Sequence, residues 1–483
     1  MLHLFRCLGR RFLLDVESGS VMQLDEVAFE AFDARIKDTG SFLVKNSEIE
    51  AEIEGLKRRG LIDTPPNVHT KRKWDGAIKA MCLNVSHECN LACGYCFAND
   101  IIVTQNEKCK RNDEDEVFNM SAELAVKAID FLAENSGDRR NLEVDFFGGE
   151  PLLNMPAVLA AVARGRELER NLDKTFRFTL TTNGSLLTDE IIDFINLEIS
   201  NVVISIDGRK EVHNAVRKIR TTQNEEQKIK NDGSGSYDLI VERVKKLVKK
   251  RVIAGSKTTE QSNEQNTDYY IRGTYTNKNT DFVEDVLWLY GEGFKNLSLE
   301  PVVLPEGHSL ALRDEDVEAC LIEYEKLAKE VVEKGINFFH FNVDLAGGPC
   351  ESKRLTACGA GYEYVAVDPK GDVYPCHQFV GQEQYRLGNI TQKIKCKTKD
   401  NSSHQNAGRD LLNGDRMETF SRMSLLDKPE CTECWAKYYC GGGCMANAVM
   451  CGAGENGVHK QSCELMKKRI ECGIALWAFK NEK

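Results

Sequence analysis

Residues 87–96 read His-Glu-Cys-Asn-Leu-Ala-Cys-Gly-Tyr-Cys, and this short stretch decides how the rest of the chain is interpreted. It carries Cys89, Cys93 and Cys96 in a C-x3-C-x2-C spacing, directly after a predicted strand at residues 80–85. Three thiols spaced so closely on one loop can converge on a single cuboidal iron–sulfur cluster, because Cys is the usual ligand of such clusters. Three ligands for four irons would leave one iron open to another molecule. An incomplete zinc or ferredoxin site is the alternative, although both normally supply a fourth protein ligand.

The chain around this loop alternates strands with helices from residue 78 to about residue 305, which indicates parallel β/α units. Helical stretches include residues 122–134 and 189–195. Six predicted strands could form a partial barrel, and they lie at residues 80–85, 142–147, 176–181, 201–206, 270–275 and 296–299.

Motifs rich in glycine and polar residues stand where the predicted strands end. The motifs that follow the second, third and fourth strands are Asp-Phe-Phe-Gly-Gly-Glu-Pro at residues 145–151, Thr-Thr-Asn-Gly at 181–184 and Ser-Ile-Asp-Gly at 205–208. Ligand-binding groups gather at the carboxyl ends of parallel strands, so these motifs and the cysteine loop together indicate one binding site.

Individual residues of these motifs have a chemical reason to be there. Gly148 and Gly149 would let backbone approach a ligand closely, and Glu150 could accept hydrogen bonds from an ammonium group. Arg217, downstream of the fourth strand, could pair with a carboxylate, and an ordinary surface ion pair is the equal alternative.

Cysteine usage points to a second metal-binding region. Of the eighteen cysteines, none lies between Cys109 and Cys320, and twelve lie from Cys320 onward. In a large chain without an export signal, this pattern indicates metal binding rather than disulfides. Seven cysteines stand in ordered spacings that exceed the needs of a zinc ribbon and fit two multi-iron clusters: Cys358, Cys376, Cys431, Cys434, Cys440, Cys444 and Cys463. Another seven fit no ligand pattern and are predicted to be buried free thiols: Cys7, Cys82, Cys109, Cys320, Cys396, Cys451 and Cys472.

Residues 1–66 form a separate predicted unit. Apolar runs at residues 11–16 and 21–24 predict a hairpin, a helical pattern follows at 25–36, and a capping-box pattern precedes a second helix at 47–56. A hairpin with helices is typical of a winged helix, for which DNA binding is the ordinary interpretation. The unit carries nine Lys and Arg against twelve Asp and Glu, a net charge of −3. This acidic balance favours a bound peptide over DNA.

Charge and hydropathy limit the partners of the whole chain. A formal net charge of −11 argues against nucleic acid or an anionic membrane as the main partner. The N-terminus lacks the features of a signal peptide and no stretch is long and apolar enough to span a membrane, so we expect a cytoplasmic protein. Polar stretches at residues 221–236, 256–267 and 397–407 are expected to be surface loops.

The motifs of residues 78–305 resemble those of the radical S-adenosylmethionine (SAM) superfamily. The resemblance implies a partial (β/α)6 barrel in which Cys89, Cys93 and Cys96 hold a [4Fe–4S] cluster that cleaves SAM. It also implies that Tyr95 lies near the adenine. The other residues of the predicted SAM site are Gly148, Gly149 and Glu150 at the methionine amino group, Ser205 and Arg217 at the carboxylate or ribose, and Thr182, Asn183 and Asp207 from the same motifs.

The cysteine-rich region at residues 345–475 resembles a SPASM domain, which carries two auxiliary [4Fe–4S] clusters. By this resemblance, the first cluster is held by Cys358, Cys376 and Cys444, and Cys350 either completes it or leaves that position open. The second is held by Cys431, Cys434, Cys440 and Cys463. The chain would then hold three [4Fe–4S] clusters in all.

The segments around these cysteines resemble the maturases of six-cysteine (SCIFF) peptides, which form thioether cross-links between a Cys sulfur and a carbon. This resemblance implies a cysteine-rich precursor peptide whose leader binds residues 1–66, and an electron donor such as ferredoxin or flavodoxin. Anaerobic sulfatase maturases share the SPASM cysteines, but an Asp base follows the second of them, where this chain has His377. Carbon–carbon cross-linking, epimerisation and sulfatase maturation remain alternatives, as does a non-enzymatic regulator. No protein base can be named from the sequence.

Overall fold

A computed structural model describes residues 1–37, 47–66, 74–98, 118–220, 235–256, 268–343, 345, 355–392 and 411–481. The strands are β1 Leu2–Cys7, β2 Arg10–Asp15, β3 Val21–Leu24, β4 Ala80–Ser86, β5 Leu91–Cys93, β6 Asn141–Gly148, β7 Thr175–Thr182, β8 Asn201–Ser205, β9 Arg217–Ile219, β10 Asp268–Tyr275, β11 Asn296–Pro301, β12 Asn337–Phe338, β13 Tyr364–Val367, β14 Asp372–Tyr374 and β15 Gly388–Asn389. The helices are α1 Glu26–Ile36, α2 Ser47–Arg58, α3 Ala122–Glu134, α4 Met155–Asn171, α5 Asp189–Glu198, α6 Lys210–Val216, α7 Tyr237–Ser256, α8 Phe282–Gly291, α9 Asp314–Lys334, α10 Gly414–Arg422, α11 Pro429–Thr432, α12 Lys437–Cys440, α13 Met445–Met450 and α14 Lys460–Asn481. Short 3-10 turns lie at Pro151–Asn154, Phe339–Phe341, His377–Phe379, Glu383–Tyr385 and Leu425–Asp427.

The central sheet confirms the predicted α/β fold. Its strand order is β12-β11-β10-β8-β7-β6-β4-β13-β14-β15. The six strands predicted from the sequence are β4, β6, β7, β8, β10 and β11, and neighbouring members of this set pair in parallel. Helices α3 to α8 connect them, as expected of β/α units. The six strands therefore form the partial (β/α)6 barrel.

The two faces of this sheet differ in chemistry because side chains alternate along each strand. On β6, Leu142, Val144 and Phe146 are fully buried, whereas Glu143 and Asp145 line a cavity on the other face. The strands β7, β8, β10 and β11 also place polar side chains on the cavity face. The inner face of the barrel is therefore the wall of a binding site rather than a packed apolar core.

The cysteine-rich C-terminal region is continuous with the barrel sheet. Strand β13 pairs in parallel with β4, where Tyr364 lies opposite Ala80. Helix α14 also packs against α9, and Arg469 Nε donates to Tyr324 Oη at 2.7 Å. The region is therefore held in a fixed place beside the strand that leads into the cysteine loop.

The N-terminal unit contains an antiparallel sheet in the order β1-β2-β3, followed by α1 and α2. The predicted hairpin is present as β2 and β3, whereas β1 was not predicted. Asp25 caps α1, since its Oδ1 accepts from the backbone N–H of Ala28 at 2.8 Å. Phe5, Phe12 and Leu14 belong to the same buried core as the barrel. One face of its sheet therefore packs on the core of the rest of the chain, whereas Leu13, Phe32 and Ile62 form a second buried cluster within the unit.

Buried polar contacts join the N-terminal unit to the segment between Cys434 and Cys440. Glu17 Oε1 lies 2.7 Å from Lys437 Nζ, and Tyr438 Oη donates to Glu17 Oε2 at 2.8 Å. The ring of His3 stacks on Trp435 at 3.7 Å between centroids. This segment therefore depends on the N-terminal unit for its position.

The Glu17→Ala variant should lower the free energy of unfolding by about 3–5 kcal/mol, because it leaves the Lys437 ammonium buried without its carboxylate. Urea unfolding followed by circular dichroism measures the change. The matched control is Glu26→Ala, which removes an exposed pair with Arg11 and should cost less than about 1 kcal/mol. Equal losses in the two variants would contradict the importance of the buried pair.

The three polar stretches predicted as surface loops lie mostly outside the described residues. Gly235 and Ser236, at the end of the first, are described, and Ser236 is buried with its hydroxyl donating to the carbonyl of Arg217 at 2.9 Å. Among the helices that the structure describes, none has the length and apolar character needed to cross a membrane.

Candidate functional site

A cavity of about 880 Å³ lies between the inner face of the barrel and the C-terminal region. The cysteine loop, the ends of β6, β7 and β8, and parts of α13 and α14 form its wall. It brings together these predicted site residues: Cys89, Cys93, Tyr95, Cys96, Gly148, Gly149, Thr182, Asn183, Ser205, Arg217, Cys440, Cys444 and Cys463. The cysteine triad and part of the second cysteine set therefore line one cavity.

The cysteine loop is held by backbone pairing. Strand β5 pairs antiparallel with β9, which places Cys93 opposite Arg217, and the N–H of Gly94 donates to the carbonyl of Val216 at 2.9 Å. Asn183 Nδ2 donates to Asn90 Oδ1 at 2.9 Å, which ties the loop to the end of β7. The loop is thus fixed on two sides before any ligand binds.

The chemistry of the three thiols fits an iron–sulfur cluster. Burial raises the pKa of Cys89, Cys93 and Cys96, and the pKa of Cys93 reaches about 11 although Arg217 opposes the shift. The charge of each neighbouring thiolate raises the pKa of Cys89 further. Buried thiols of this kind become thiolates when they ligate a metal, because the positive charge of the metal compensates for desolvation.

Within the described ranges, no three His, Cys, Asp or Glu side chains converge as the ligands of a single ion do. A cuboidal cluster takes each thiolate on a separate iron, so its ligands stand further apart.

Gly148 and Gly149 are required by the protein backbone itself. A Cβ at Gly148 would lie 2.2 Å from the carbonyl oxygen of Ser86, and one at Gly149 would lie 2.2 Å from that of Glu88. The N–H of Gly149 donates to the Ser86 carbonyl at 2.7 Å. The two glycines therefore let the end of β6 pack directly against the cysteine loop, while their exposed side faces the cavity.

Glu150 lies fully buried behind these glycines. Its carboxylate accepts from the N–H of Leu152 at 3.0 Å, from Thr182 Oγ1 at 2.8 Å and from the N–H of Asn183 at 2.8 Å. Burial raises the pKa of Glu150 to about 7, and these donors oppose the shift. The carboxylate holds the ends of β6 and β7 together, a role the sequence did not indicate.

Asp207 organises the opposite side of the triad. Its carboxylate accepts hydrogen bonds from Arg217 Nε at 2.9 Å, from Arg217 Nη2 at 3.0 Å and from Tyr95 Oη at 2.7 Å. Burial opposes the charge of Arg217, but Asp207, Tyr95 and Cys93 hold its pKa well above the ordinary value. Arg217 Nη1 lies 3.8 Å from Cys93 Sγ. The pair is therefore buried beside the cysteine loop, and the alternative of a surface ion pair was wrong.

The C-terminal cysteines fall into two groups. In the first, burial raises the pKa of Cys376 to about 12, and the nearby Cys444 and Cys358 raise it further. In the second, burial raises the pKa of Cys463 to about 11, with added contributions from Cys440, Cys431 and Cys434. These are the two sets that the resemblance implied.

Cysteines outside these groups behave mostly as core residues. Cys350, the remaining candidate ligand, lies outside the described residues, as do Cys109 and Cys396. Cys7, Cys82, Cys320 and Cys472 are buried, and Cys451 is half-buried.

The cavity also contains charged residues that sequence reasoning missed. Arg272 and Glu300 come from the inner faces of β10 and β11, and Arg469 comes from α14. Arg469 Nη1 lies 3.0 Å from Glu300 Oε2. The alternation of side chains along β10 and β11 could have identified the first two, because polar residues stand at inward positions there. Nothing in the sequence signals Arg469, which reaches the site only through the packing of α14.

Comparison with known proteins identifies the domains. Residues 83–259 match the radical SAM superfamily, and residues 358–435 match SPASM, an iron–sulfur cluster-binding domain. The chain is a radical SAM enzyme.

Its relatives carry several activities. It is 25% identical over 379 residues to a cysteine-type anaerobic sulfatase-maturating enzyme of Clostridium novyi, covering 75% of this chain and 86% of that protein. It is 25% identical over 417 residues to the mycofactocin maturase MftC of Mycolicibacterium smegmatis, covering 80% and 84%. It is 30% identical over 179 residues to the radical SAM cyclopropyl synthase TigE of Paramaledivibacter caminithermalis, a match that spans 36% of this chain and only 34% of TigE.

Solved structures share the fold. Native anSMEcpe with bound AdoMet and Cp18Cys peptide aligns with a TM-score of 0.59 at 19% identity, covering 84% of this chain and 99% of that one. Streptococcus suis SuiB bound to precursor peptide SuiA aligns with a TM-score of 0.50 at 15% identity, covering 93% and 96%.

Proposed function

We propose that this radical SAM enzyme forms thioether cross-links, from Cys sulfur to carbon, in a ribosomally made cysteine-rich precursor peptide. One observation carries the proposal. A single cavity of about 880 Å³ is bounded by Cys89, Cys93 and Cys96 on one side and by Cys440, Cys444 and Cys463 on the other. A peptide in this cavity would meet both cysteine sets at once. The relation to the mycofactocin maturase MftC, and the precursor peptide bound to the structurally similar SuiB, support a substrate of this class.

The cysteines would hold three [4Fe–4S] clusters: one on the triad, one on Cys358, Cys376 and Cys444 with or without Cys350, and one on Cys431, Cys434, Cys440 and Cys463. The cluster on the triad, when bound, supplies the electron that splits SAM into methionine and a 5′-deoxyadenosyl radical. The chain would hold SAM beside it through Tyr95, Gly148, Gly149, Thr182, Asn183, Ser205 and Arg217, with Glu150 and Asp207 positioning them from behind.

The proposed reaction balances without a further oxidant. The radical removes one hydrogen atom from a substrate carbon and leaves as 5′-deoxyadenosine. The cysteine thiol of the peptide loses its proton to solvent, and the resulting thiolate bonds to the carbon radical. Formation of this S–C bond releases one electron. An electron carrier such as ferredoxin or flavodoxin accepts it and donates the electron that starts the next cycle. A peptide bound in the cavity would have its sulfur and carbon held close together, which is the proximity that the bond formation needs.

Residues 1–66 would bind the leader of the precursor. Their acidic balance disfavours nucleic acid, and the unit contacts the segment that carries Cys434 and Cys440 through His3 and Glu17. A leader bound here would therefore be tethered to the C-terminal side of the cavity. The high local concentration of the tethered peptide favours its entry.

Sulfatase maturation is the second candidate, because relatives with that activity match 75% of this chain. In this chain His377 follows Cys376. By the family resemblance, sulfatase maturases have an Asp base at the position of His377. Burial, with help from Arg272, lowers the pKa of His377 to about 4, so its imidazole is neutral and weakly basic near pH 7. This weak basicity favours thioether formation, in which a thiolate rather than a protein base completes the reaction.

The product tests the proposal. With a cysteine-rich precursor peptide, SAM and reductant, each turnover should lower the peptide mass by two hydrogens and make one thiol unavailable to alkylation, because one S–C bond replaces one S–H and one C–H. Tandem mass spectrometry after reduction and alkylation measures both changes. The same peptide without its leader is the matched control, and we expect it to be modified more slowly.

Other products give other patterns. A disulfide consumes two thiols and reopens with reductant, a carbon–carbon link leaves every thiol free, and epimerisation leaves the mass unchanged. A modified product with all its cysteines alkylated would rule out thioether formation.

A further inference from the structure

A charged cluster lines the part of the cavity formed by β10, β11 and α14. Its members are Arg272 on β10, Glu300 on β11, His340 on the 3-10 turn after β12 and Arg469 on α14. Glu300 is fully engaged: Oε2 lies 3.0 Å from Arg469 Nη1, and Oε1 lies 3.1 Å from His340 Nε2. Arg469 is fixed in turn by Tyr324 Oη at 2.7 Å. The cluster is therefore a rigid polar platform.

Arg272 differs from the other members of the cluster. Arg272 and Arg469 both line the cavity. The side chain of Arg272 is 54% exposed, whereas that of Arg469 is only 5% exposed. Its ion pair with Glu300 is long, at 3.8 Å. The Arg272 guanidinium therefore has donors to spare for a ligand in the cavity.

The charges of the cluster leave a surplus cation. Burial, together with Arg469, lowers the pKa of His340 to about 3, so this imidazole is neutral near pH 7. Burial opposes ionisation of Glu300, but Arg469, His340 and Arg272 outweigh it and lower its pKa to about 2. One carboxylate thus stands against two guanidinium groups.

We propose that Arg272, supported by Glu300 and Arg469, is a carboxylate-binding subsite that anchors the peptide substrate through an acidic side chain or its C-terminus. This inference rests on the proposed function, because it requires a peptide in the cavity. A guanidinium presents a planar fork of donors that matches a carboxylate in a bidentate pair, which is geometry that an ammonium cannot supply.

The single carboxylate of SAM argues for the peptide as the ligand of Arg272. Arg217 is the predicted partner of that carboxylate, and its Nη1 stands 3.8 Å from Cys93 Sγ, beside the cysteine triad. Arg272 lies on the neighbouring strand β10, opposite Ser205 of β8 in the parallel register. A second carboxylate, bound at Arg272, would therefore come from a peptide that lies next to SAM.

Three nonapeptides test the subsite with the reconstituted full-length enzyme. Each contains one cysteine: the first has an Asp and an amidated C-terminus, the second has Asn in place of that Asp, and the third is the Asn peptide as a free acid. We expect the enzyme to bind the first or third peptide at least about tenfold more tightly than the second, as measured by fluorescence anisotropy. Arg272→Gln should remove this preference, and Arg272→Lys should retain only part of it.

The matched control is Arg140→Gln, which removes an exposed arginine whose partner is the surface residue Asp173, and it should keep the full preference. Iron content, measured for every variant, shows that each has folded and bound its clusters. Equal binding of the three peptides by the parent enzyme, or a preference that survives in Arg272→Gln, would overturn the proposal. A loss of SAM affinity with the peptide preference intact would assign the carboxylate to SAM and also overturn it.

Failure of the proposed function would be recognised separately. If the parent enzyme made no 5′-deoxyadenosine with dithionite, the radical reaction would be refuted while the peptide preference still reported on the subsite.

Discussion

Replacing Cys89, Cys93 and Cys96 together by alanine is expected to abolish the reductive cleavage of SAM. The three thiols lie on one loop and line one cavity. Burial raises the pKa of all three, and neighbouring thiolates raise the pKa of Cys89 and Cys93 further, so metal binding is needed to compensate the charge of the thiolates. Without them no iron can be held beside the predicted SAM residues. Iron should fall from about twelve per chain to about eight, since the two C-terminal cysteine groups are untouched.

Two measurements check this expectation: 5′-deoxyadenosine formed with dithionite, by chromatography, and iron per chain after anaerobic reconstitution. The matched control is Cys451→Ala, which removes a half-buried thiol that belongs to neither cysteine group. It should retain about twelve irons and full SAM cleavage. Continued formation of 5′-deoxyadenosine by the triple variant would show that the triad has been assigned wrongly.

The local features of the fold could be predicted because they depend on residues close together in the chain. The six barrel strands read as apolar runs of strand length with turn residues between them, and each was located to within two residues at either end. The hairpin of β2 and β3 and the helix capped by Asp25 followed from the same kind of pattern. The triad spacing indicated the cysteine loop for the same reason.

Features that depend on distant parts of the chain could not be predicted. Strand β13 joins the barrel sheet beside β4, and Arg469 enters the cavity from α14, although neither segment carries a pattern that names its partner. The sequence indicated that Gly148 and Gly149 let the backbone approach a ligand. The structure shows that the carbonyl groups of Ser86 and Glu88 already exclude a side chain at these two positions. A residue type can be selected by the backbone and by a ligand together, and only the packed structure separates these causes.

Asp207 illustrates how such packing controls the site. Its side chain is completely buried and forms a bidentate ion pair with Arg217. The carboxylate also accepts hydrogen bonds from Tyr95 Oη and from the N–H of Thr274, the latter at 3.0 Å. A buried guanidinium that loses its carboxylate keeps the cost of desolvation without the compensating attraction. The expected effect of removing Asp207 is therefore much larger than that of breaking a surface pair.

The Asp207→Ala variant should lower the free energy of unfolding by about 3–5 kcal/mol and weaken SAM binding, because Arg217 and Tyr95 lose the group that positions them. Urea unfolding and equilibrium dialysis with SAM measure the two effects.

The double variant Asp207→Ala/Arg217→Met separates charge from packing. If the cost comes from the orphaned charge of Arg217, removing that charge as well should restore a large part of the lost stability, since replacing both members of a buried pair costs less than removing one. SAM binding should remain weak in the double variant, because Arg217 itself is gone. Stability losses that simply add in the double variant would show that the two side chains act independently, contrary to the bidentate pair at 2.9 and 3.0 Å.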